Sequence, residues 1–367
     1  MVEHADPIEH EEIHLLEAAE EDKLRLAALF DVSRAIAFSL DHRELLDRIL
    51  STTQRITGAD VCTLRLLDES AATLNLAASA GLEWPSKPVK LGESIIGRAV
   101  LEKRPIPISE ITSSPFAKPD FARQKGLASM LSVPLVVKDR AIGGFTVYHR
   151  KHCDYDAGDV KLLRVIASSA AVAIENSQLF RDTINTLVSL ARAIEARDPY
   201  TQGHSERVTA YAAALAEECE VGPEDLMLIK KLGPMHDIGK VGVGDGLLGK
   251  PGPLTDDERL IMQRHPVIGE TIISPIKLLQ PGVHMVRHHH ERVDGSGYPD
   301  GIGGQDLPIS VRVITIADSY DAMTSKRPYR DALPMETAIA ELRRHSGSQF
   351  DGDLVPPFID LLERGAF

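Results

Sequence analysis

The chain has 367 residues, of which 43% are hydrophobic and 26% charged, with a formal net charge of −13 at pH 7. This length suits about two domains, and the composition is that of a globular protein and not of a disordered or fibrous one. The negative charge argues against a nucleic acid polymer as a partner, because phosphate-rich partners favour a basic face. It does not exclude a small anionic substrate, since bound metal ions and a few arginines can reverse the local field.

Cysteine content and hydropathy indicate a cytoplasmic protein. The three cysteines (Cys62, Cys153 and Cys219) are scattered and form no disulfide framework, which favours a reducing compartment. Residues 1–22 are acidic and lack the apolar core of a signal peptide. The most apolar long stretch, residues 162–174, contains arginine and serine, so we expect no membrane span or anchor.

The N-terminal half combines helical and strand-like patterns. Leucine and alanine at helical spacing predict helices over residues 11–40 and 41–57. Alternation then predicts four strands, at residues 61–67, 73–80, 129–137 and 141–149. Residues 138–140 join the last two strands as a hairpin, and a short helix at residues 95–102 interrupts a loop from 85 to 124. Helices flanking an antiparallel sheet indicate an α+β domain.

Four motifs stand out in this half. They are Gly-Glu-Ser-Ile-Ile-Gly-Arg-Ala-Val at residues 92–100, Ser-Val-Pro-Leu at 132–135, Ile-Gly-Gly at 142–144 and a helix start at 156–163. Together they resemble the GAF family of sensory domains over residues 25–180, after an N-terminal helical extension at residues 1–24. The resemblance implies a small-molecule ligand or dimerisation. The Asn-Lys-Phe-Asp-Glu set of cyclic-nucleotide-binding members is missing, so the ligand is unknown.

A long helix is predicted after the sheet. No proline occurs from residue 156 to 197, and Asp156 and Asp159 suit a helix N-terminus. Small and apolar residues recur at steps of three and four, at Leu163, Ala167, Ala170, Ile174 and Ser177, then at Leu187, Ala191 and Ile194. Such a helix either pairs with a second copy of itself or packs on its own domains. We expect a homodimer through this helix, which continues as a linker to about residue 197.

The C-terminal half is predicted to be all-helical. After Pro199, amphipathic segments follow at residues 204–219, 223–233, 256–265 and 334–345. Thr255 and Glu258 have the spacing of a capping box. The expected fold is therefore an α+β domain with an antiparallel sheet flanked by helices, joined by a long helix to an all-α domain.

Histidines and aspartates concentrate in this half. Eight of the fourteen histidines lie between His204 and His345, several of them beside aspartates. Neutral imidazoles and carboxylates suit manganese, iron, nickel, cobalt or zinc, whereas magnesium prefers mostly oxygen ligands. Neighbours on a helix diverge by about 100°, so an adjacent histidine and aspartate share one cluster only if the aspartate bridges two ions. Two ions activate a bridging water and neutralise phosphoryl oxygens during in-line displacement.

Three longer motifs narrow this interpretation. They are His-Asp-Ile-Gly-Lys at residues 236–240, Asp-Gly-Ser-Gly-Tyr-Pro-Asp-Gly at 294–301 and Asp-Ala-Met-Thr-Ser-Lys-Arg-Pro-Tyr-Arg at 321–330. In this order they resemble the HD-GYP phosphodiesterases, a subclass of the HD superfamily that cleaves cyclic di-GMP. The resemblance covers residues 185–367. It implies metal-dependent hydrolysis of cyclic di-GMP, regulated by the GAF domain.

The resemblance implies a metal centre with seven ligands. Those of the first ion are His204, His236 and Asp318. Those of the second ion are His265, His289 and His290. Asp237 is the implied bridge between the ions. Iron or manganese is expected, with nickel, cobalt or zinc as alternatives.

The resemblance also implies residues that act on the substrate. Lys240, one turn after the His-Asp pair, faces the phosphate and is the second catalytic residue beside Asp237. Arg327 and Arg330 contact phosphate oxygens, to which a guanidinium group is well suited. Tyr298 supports the substrate or a base, and its Gly-Tyr-Pro turn is a contact for diguanylate cyclase partners.

Further polar residues are expected to have supporting roles or none. Asp321 and Arg292 support the site, with Asp321 orienting a ligand in preference to binding a metal. His288 is expected outside the ligand set, and His284 and His345 outside the site.

The number of metals and the function remain open at two points. Some members of the family bind a third metal through a glutamate four residues before the first ligand histidine, but Tyr200 stands there. We therefore expect two metals and the linear product pGpG, with further hydrolysis to GMP in doubt. The alternatives are a non-catalytic receptor or adaptor that binds cyclases, and the same hydrolysis on another cyclic dinucleotide such as cyclic GMP-AMP.

Overall fold

The computed structural model describes residues 42–114, 119–197, 203–250, 252–326 and 331–367. The residues up to Arg181 form one compact unit, and those from Asp182 onward form a second. The helix predicted over residues 11–40 lies outside the described residues. Within the described part of the chain, no helix is long and apolar enough to cross a membrane.

The first unit is built on an antiparallel sheet. Its strands are β1 (Val61–Asp68), β2 (Thr73–Ala80), β3 (Val89–Lys90), β4 (Ile106–Ile108), β5 (Ser129–Val137) and β6 (Arg140–His149), in the order β3-β2-β1-β6-β5-β4. Lys138 and Asp139, with φ of +44° and +57°, form the two-residue turn that matches the twist of a hairpin. Strand β6 therefore begins at Arg140, one residue earlier than predicted.

Helices cover both faces of this sheet. They are α1 (His42–Thr57), α2 (Ile95–Glu102), α3 (Pro119–Lys125) and α4 (Ala157–Glu195). Side chains alternate between the two faces of a strand. Leu64 and Phe145 face the main core with α1 and α4, whereas Val61 and Tyr148 face a smaller cluster that includes Ile95 of α2. The predicted α+β fold is confirmed.

The loop predicted between residues 85 and 124 contains more structure than expected. Besides α2 it holds β3, β4, a 3-10 turn at Ile111–Ser113 and α3. Strand β3 pairs only with Thr73 and Leu74, which is too short to show alternation in the sequence. Helix α2 approaches the sheet at Gly144, where a Cβ atom would lie 2.3 Å from Cδ1 of Ile96. The Ile-Gly-Gly motif therefore makes room for this helix.

Helix α4 confirms the predicted long helix but places its apolar stripe differently. The face carrying Leu163, Ala167, Ala170 and Ile174 is buried in the core of the first unit. For this stripe, packing on its own domain is the correct alternative. A second row of apolar side chains on α4 is exposed, with Val165 at 40%, Val172 at 47% and Leu179 at 59% exposure. These residues recur every seven positions, the spacing of contacts between paired helices.

The second unit is helical, as predicted. Its helices are α5 (His204–Glu218), α6 (Pro223–Leu232), α7 (Asp245–Leu248), α8 (Asp256–Met262), α9 (His265–Ile273), α10 (Val283–His288), α11 (Ile309–Thr324), α12 (Met335–Arg344) and α13 (Val355–Glu363). The capping box of Thr255 and Glu258 is present at α8. The single helix predicted over residues 256–265 is divided, because α8 ends at Met262 and α9 begins at His265. Pro266 lies in the first turn of α9, where a missing N–H costs little.

Candidate metal centre

Six of the seven predicted ligands lie at the ends of helical segments. His204 and His265 begin α5 and α9, His289 and His290 directly follow α10, and His236 and Asp237 lie between the 3-10 turns Gly233–Met235 and Ile238–Gly242. The assumption that His236 and Asp237 share an α-helix was therefore wrong. Only Asp318 stands within a helix, α11. All seven converge on one place in the second unit, although His204 and Asp318 are 114 positions apart.

The carboxylate of Asp237 lies between two groups of histidines. Its Oδ1 atom is 3.1 Å from Nε2 of His265 and 3.7 Å from Nε2 of His289. Its Oδ2 atom is 3.7 Å from Nε2 of His236 and 3.9 Å from Nε2 of His204. Asp237, His265, His289 and His290 form one cluster able to hold a metal ion, and His204, His236 and Asp237 form a second. Asp237 is the member that both clusters share.

Backbone carbonyls orient three of the histidines. In each case Nδ1 donates a 2.8 Å hydrogen bond to the carbonyl three residues earlier, from His236 to Gly233, from His265 to Met262 and from His289 to Val286. These carbonyls lie near the ends of helical segments, where backbone acceptors are available to side-chain donors. Because a carbonyl only accepts, the ring proton is on Nδ1, and the Nε2 lone pair faces Asp237.

This arrangement leaves inward-facing acceptors without protons. Nε2 of His265 is 3.2 Å from Nε2 of His289, although both rings carry their proton on Nδ1. Nε2 of His236 and Oδ1 of Asp237 are buried and have no hydrogen-bond partner among the described residues. Buried acceptors without donors are costly, and a cation placed between them removes that cost. Imidazole nitrogens and carboxylate oxygens suit divalent transition metals, so the residues fit the expected ions.

His204 is held by a chain of charged contacts. Its Nδ1 is 2.7 Å from Oδ2 of Asp321, and its Nε2 is 3.2 Å from Oδ1 of Asp318. Arg207 binds both oxygens of Asp321, at 2.6 and 2.9 Å. Burial lowers the pKa of His204, but the hydrogen bonds with Asp318 and Asp321 outweigh it and raise the pKa to about 9. A carboxylate behind a ligand histidine is the usual way to orient the ring and increase its basicity.

Four further predicted ligands are in the protonation states that metal binding requires. Burial raises the pKa of Asp237, but Lys240 and His236 outweigh it and hold that pKa well below its usual value. Burial likewise raises the pKa of Asp318, and its contact with His204 lowers it overall. Burial lowers the pKa of His236 to about 4 and that of His290 well below its usual value. Near neutral pH these groups are carboxylates and neutral imidazoles.

A cavity of about 1040 Å³ opens over the cluster. It is lined by five of the predicted ligands (His204, Asp237, His265, His290 and Asp318) and by Lys240 and Tyr298. Nζ of Lys240 binds Oδ2 of Asp237. The ring of Tyr298 lies 4.9 Å from that of His290, and burial raises the pKa of its hydroxyl, which stays protonated. Lys240 and Tyr298 therefore stand at the metal cluster with side chains that face the cavity.

The Gly-Tyr-Pro turn is tied down by residues behind the cavity. Arg292 binds Asp294 and Gln349 and does not line the cavity over the cluster. Glu291, which is 1% exposed, accepts hydrogen bonds from the backbone N–H of Asp300 at 2.7 Å and of Gly301 at 3.0 Å. The sequence interpretation missed Glu291. A charged residue directly after the two ligand histidines is the signal that could have identified it.

Other predicted residues lie elsewhere or outside the described chain. His284 contacts Ser310, and His288 contacts Asp300. His345, expected outside the site, lines the cavity. Three residues named in the sequence analysis lie outside the residues that the structure describes: Tyr200, Arg327 and Arg330.

Two cationic side chains in the cavity wall were not predicted from the sequence. Lys250 and Arg259 line the cavity together with Lys240. Lys250 is paired with Glu258 at the start of α8, and Arg259 is exposed on the same helix. Neither belongs to a motif that predicted the site: Arg259 is on α8, and Lys250 lies between α7 and α8. Arg207 was also missed, although it lies three residues after His204 on the same helix.

Two family models match the chain. The GAF domain model matches residues 39–175 and the HD domain model matches residues 189–354. Among solved structures, the GAF domain from an Acinetobacter phosphoenolpyruvate-protein phosphotransferase is similar with a TM-score of 0.39 and 19% identity. That similarity covers 43% of this chain and 98% of the other.

Similar curated proteins are phosphodiesterases of cyclic dinucleotides. The cyclic di-GMP phosphodiesterase response regulator RpfG of Xanthomonas campestris is 42% identical over 182 residues, 49% of this chain and 47% of that protein. The cyclic di-GMP phosphodiesterase of Thermotoga maritima is 41% identical over 169 residues, 46% of each. The 3'3'-cGAMP-specific phosphodiesterase 2 of Vibrio cholerae is 39% identical over 203 residues, 54% of this chain and 39% of that protein. The chain spans about half the length of these relatives or less.

Both family resemblances predicted from motifs are confirmed. The chain combines a GAF domain with an HD domain whose curated relatives are phosphodiesterases of cyclic di-GMP and 3'3'-cGAMP.

Proposed function

We propose that the HD domain hydrolyses a phosphodiester bond of a cyclic dinucleotide at a centre of two divalent metal ions. The observation that carries the proposal is the position of Asp237, whose two oxygens face separate groups of histidines beneath a large cavity. A single carboxylate shared by two clusters is the arrangement that a bridged pair of ions needs. The reaction class follows from this geometry, because paired metals suit in-line displacement at phosphorus.

Different residues of the chain have different roles in this reaction. When bound, the two ions supply an activated water and neutralise charge on the phosphoryl oxygens. His236, His204 and Asp318 hold one ion, and His265, His289 and His290 hold the other. Asp321 and Arg207 fix the ring of His204 from behind.

The cationic side chains that line the cavity bind the substrate. Lys240 donates to Asp237 and is placed to contact the phosphate at the same time, since an ammonium group has three donors. Lys250 and Arg259 line the wall of the same cavity and suit the second phosphate of a cyclic dinucleotide. Tyr298, protonated and close to His290, donates a hydrogen bond to the substrate.

We propose cyclic di-GMP as the substrate and linear pGpG as the product. The cavity of about 1040 Å³ lies at the upper end of pockets for drug-sized ligands, roughly 300–1,000 Å³, and suits a ligand with two nucleotides. The names of the relatives include both cyclic di-GMP and 3'3'-cGAMP. Tyr200 in place of a glutamate supports two metals and release of the linear product.

We also propose that the chain dimerises through helix α4 and that the GAF domain regulates turnover. The exposed row of Val165, Val172 and Leu179 supports pairing with a second copy, because each exposed apolar side chain lies two helical turns from the next. A ligand in the GAF domain would then change the register of the paired helices. Binding of a cyclase at the Gly-Tyr-Pro turn remains a prediction from the family resemblance.

The test is a product analysis on protein purified without oxygen. Metal content is measured by mass spectrometry, and cyclic di-GMP and 3'3'-cGAMP are each supplied as substrate. We expect about two metals per chain, faster turnover of cyclic di-GMP and accumulation of pGpG. Metal-loaded protein that binds cyclic di-GMP without cleaving either substrate would instead support the adaptor alternative.

A further inference from the structure

A second cavity, of about 180 Å³, lies in the GAF domain on the face of the sheet opposite the main core. Three aromatic rings line it. The ring of Trp84 meets that of Phe121 edge-on at 5.0 Å and that of Tyr148 at 4.7 Å. Aliphatic side chains, among them Ile111 and Met130, complete an apolar wall. Aromatic faces and edges in this arrangement suit a flat apolar ligand.

A buried cation without a counter-ion also lines this cavity. Arg65 is 5% exposed, and none of its hydrogen-bond partners among the described residues is a carboxylate. Its guanidinium group donates to the carbonyls of Leu74, Lys87 and Pro85 at 3.0 to 3.3 Å. A guanidinium has five donors, so two remain without a partner in the described chain. None of the described residues that line the cavity is acidic, whereas Lys87 adds a second cation at the exposed edge.

The carbonyl bonds explain how Arg65 is held but not why a charge is buried there. A buried ion is costly unless it is paired, and a neutral donor could have served the three carbonyls without that cost. Burial lowers the pKa of Arg65 and outweighs the opposite effect of Tyr148, and no carboxylate contributes. An anionic group that enters the cavity would supply the missing partner and accept the two remaining hydrogen bonds.

The volume limits the apolar part of the ligand. A cavity of roughly 150 Å³ is sufficient to bind benzene. At about 180 Å³, this cavity accommodates one ring with a small substituent and is too small for a nucleotide. The size therefore agrees with the missing cyclic-nucleotide motif in the sequence.

We propose that the GAF domain binds a small carboxylic acid with a single aromatic ring, with the ring against the apolar wall that includes Trp84 and Tyr148 and the carboxylate on Arg65. The rings and aliphatic side chains desolvate the body of the ligand. The guanidinium group selects the anion over a neutral compound of the same shape. Binding at this site requires neither the metal centre nor the reaction proposed there.

The experiment is a titration followed by tryptophan fluorescence of the full chain. Trp84 is the only tryptophan in the sequence and lines the cavity, so its emission reports directly on the site. The probes are benzoate and its neutral counterpart benzyl alcohol. We expect benzoate to bind at least about tenfold more tightly, as a charge-assisted hydrogen bond in a buried site allows. Equal affinities, or no saturation by benzoate below about 10 mM, would overturn the proposal.

A pair of variants assigns the preference to one cation. Arg65→Met keeps the length and apolar volume of the side chain but removes its charge, so we expect the preference for benzoate over benzyl alcohol to fall below about threefold. Lys87→Met removes the exposed cation at the edge and is expected to change either affinity by less than about twofold, because exposed charges are screened. A retained preference in folded Arg65→Met would contradict the assignment. If that variant does not fold, the comparison of the two probes on the unaltered chain still decides.

Discussion

The cavity of the GAF domain and the cavity over the metal cluster are built from different parts of secondary structure. The smaller one lies on one face of a sheet, where Met130 and Tyr148 from the strands, together with side chains from loops and helices, form an apolar wall around the buried Arg65. The larger one lies where several helices and 3-10 turns end. Three histidines of the candidate metal centre donate to backbone carbonyls near those ends, at Gly233, Met262 and Val286.

The difference shows why polar chemistry is placed at helix ends in this chain. A strand in the middle of a sheet uses its backbone polar groups for pairing, so it offers few of them to orient a side chain. A helix end leaves carbonyls unpaired, and an imidazole that donates to one of them has its other nitrogen fixed toward the site. These bonds orient three of the predicted ligand histidines without any bound ion.

The largest expected effect is the loss of the shared ligand. Replacing Asp237 by Ala removes the residue that both candidate clusters share, so we expect turnover of cyclic di-GMP to fall at least about a thousandfold and both metals to be lost. Turnover is followed by chromatography and metal content by mass spectrometry. Asp360→Ala, at an exposed position of α13, is the control and should retain both. Two bound metals in Asp237→Ala would show that the bridge is assigned wrongly.

A smaller effect is expected from the carboxylate behind His204. Asp321→Asn keeps the shape of the side chain but loses the charge that Arg207 and His204 share. We expect metal affinity to fall about tenfold to a hundredfold, the usual range for groups that orient a ligand. The measurement is a competition titration with a chelator, with thermal unfolding recorded alongside. Unchanged affinity would mean that the carbonyl-bound histidines alone fix the centre.

The cavity wall is expected to contribute less than the metal ligands. Arg259→Ala removes an exposed cation of α8, and we expect KM for cyclic di-GMP to rise about fivefold with kcat unchanged, as for a contact made equally in ground and transition states. Arg55→Ala, an exposed position of the first unit, controls for the change in net charge. A fall in kcat with unchanged KM would place Arg259 in the chemical step instead.

The prediction with the smallest expected effect on the chemistry concerns the dimer, which is measured as a molecular mass in solution. Val172→Glu puts a charge in the middle of the exposed row on α4, and like charges facing each other in a pair of helices oppose association. Light scattering should show a mass about half that of the unaltered chain. Lys161→Glu, on an exposed position of the same helix outside the row, is the control. Equal masses for the unaltered chain and Val172→Glu would remove helix α4 as the dimer contact.

The sequence predicted helices and strands well where a periodic pattern was long. It failed where contacts between distant segments determine the structure. The long helix α4 and the hairpin at Lys138 and Asp139 follow from local periodicity and turn chemistry. Strand β3 was missed because two paired residues leave no pattern. Helix α4 has two apolar rows, and the sequence does not show which row the sheet covers. The core of the first unit buries the row of Leu163 and Ile174, which leaves the row of Val172 exposed.

The same division applies to the metal centre. Motifs such as His-Asp-Ile-Gly-Lys named the candidate ligands, because adjacent chemical groups in a fixed order are visible in the chain. The roles of Glu291, Arg207 and Arg259 were not visible, since each depends on groups that folding brings together from distant parts of the chain. Arg65 gave no signal at all: an arginine in a strand is ordinary until the fold buries it beside three aromatic rings without an anion.

By itself the sequence determined the two domains, the order of their elements and the kinds of side chain available for metal binding. These properties depend on neighbours within a few positions, where periodicity and spacing act. The tertiary structure alone decided that Asp237 faces two groups of histidines and that a buried arginine lines an apolar cavity. Both depend on distances between segments far apart in the chain, which are set by packing of the whole core and not by local preference.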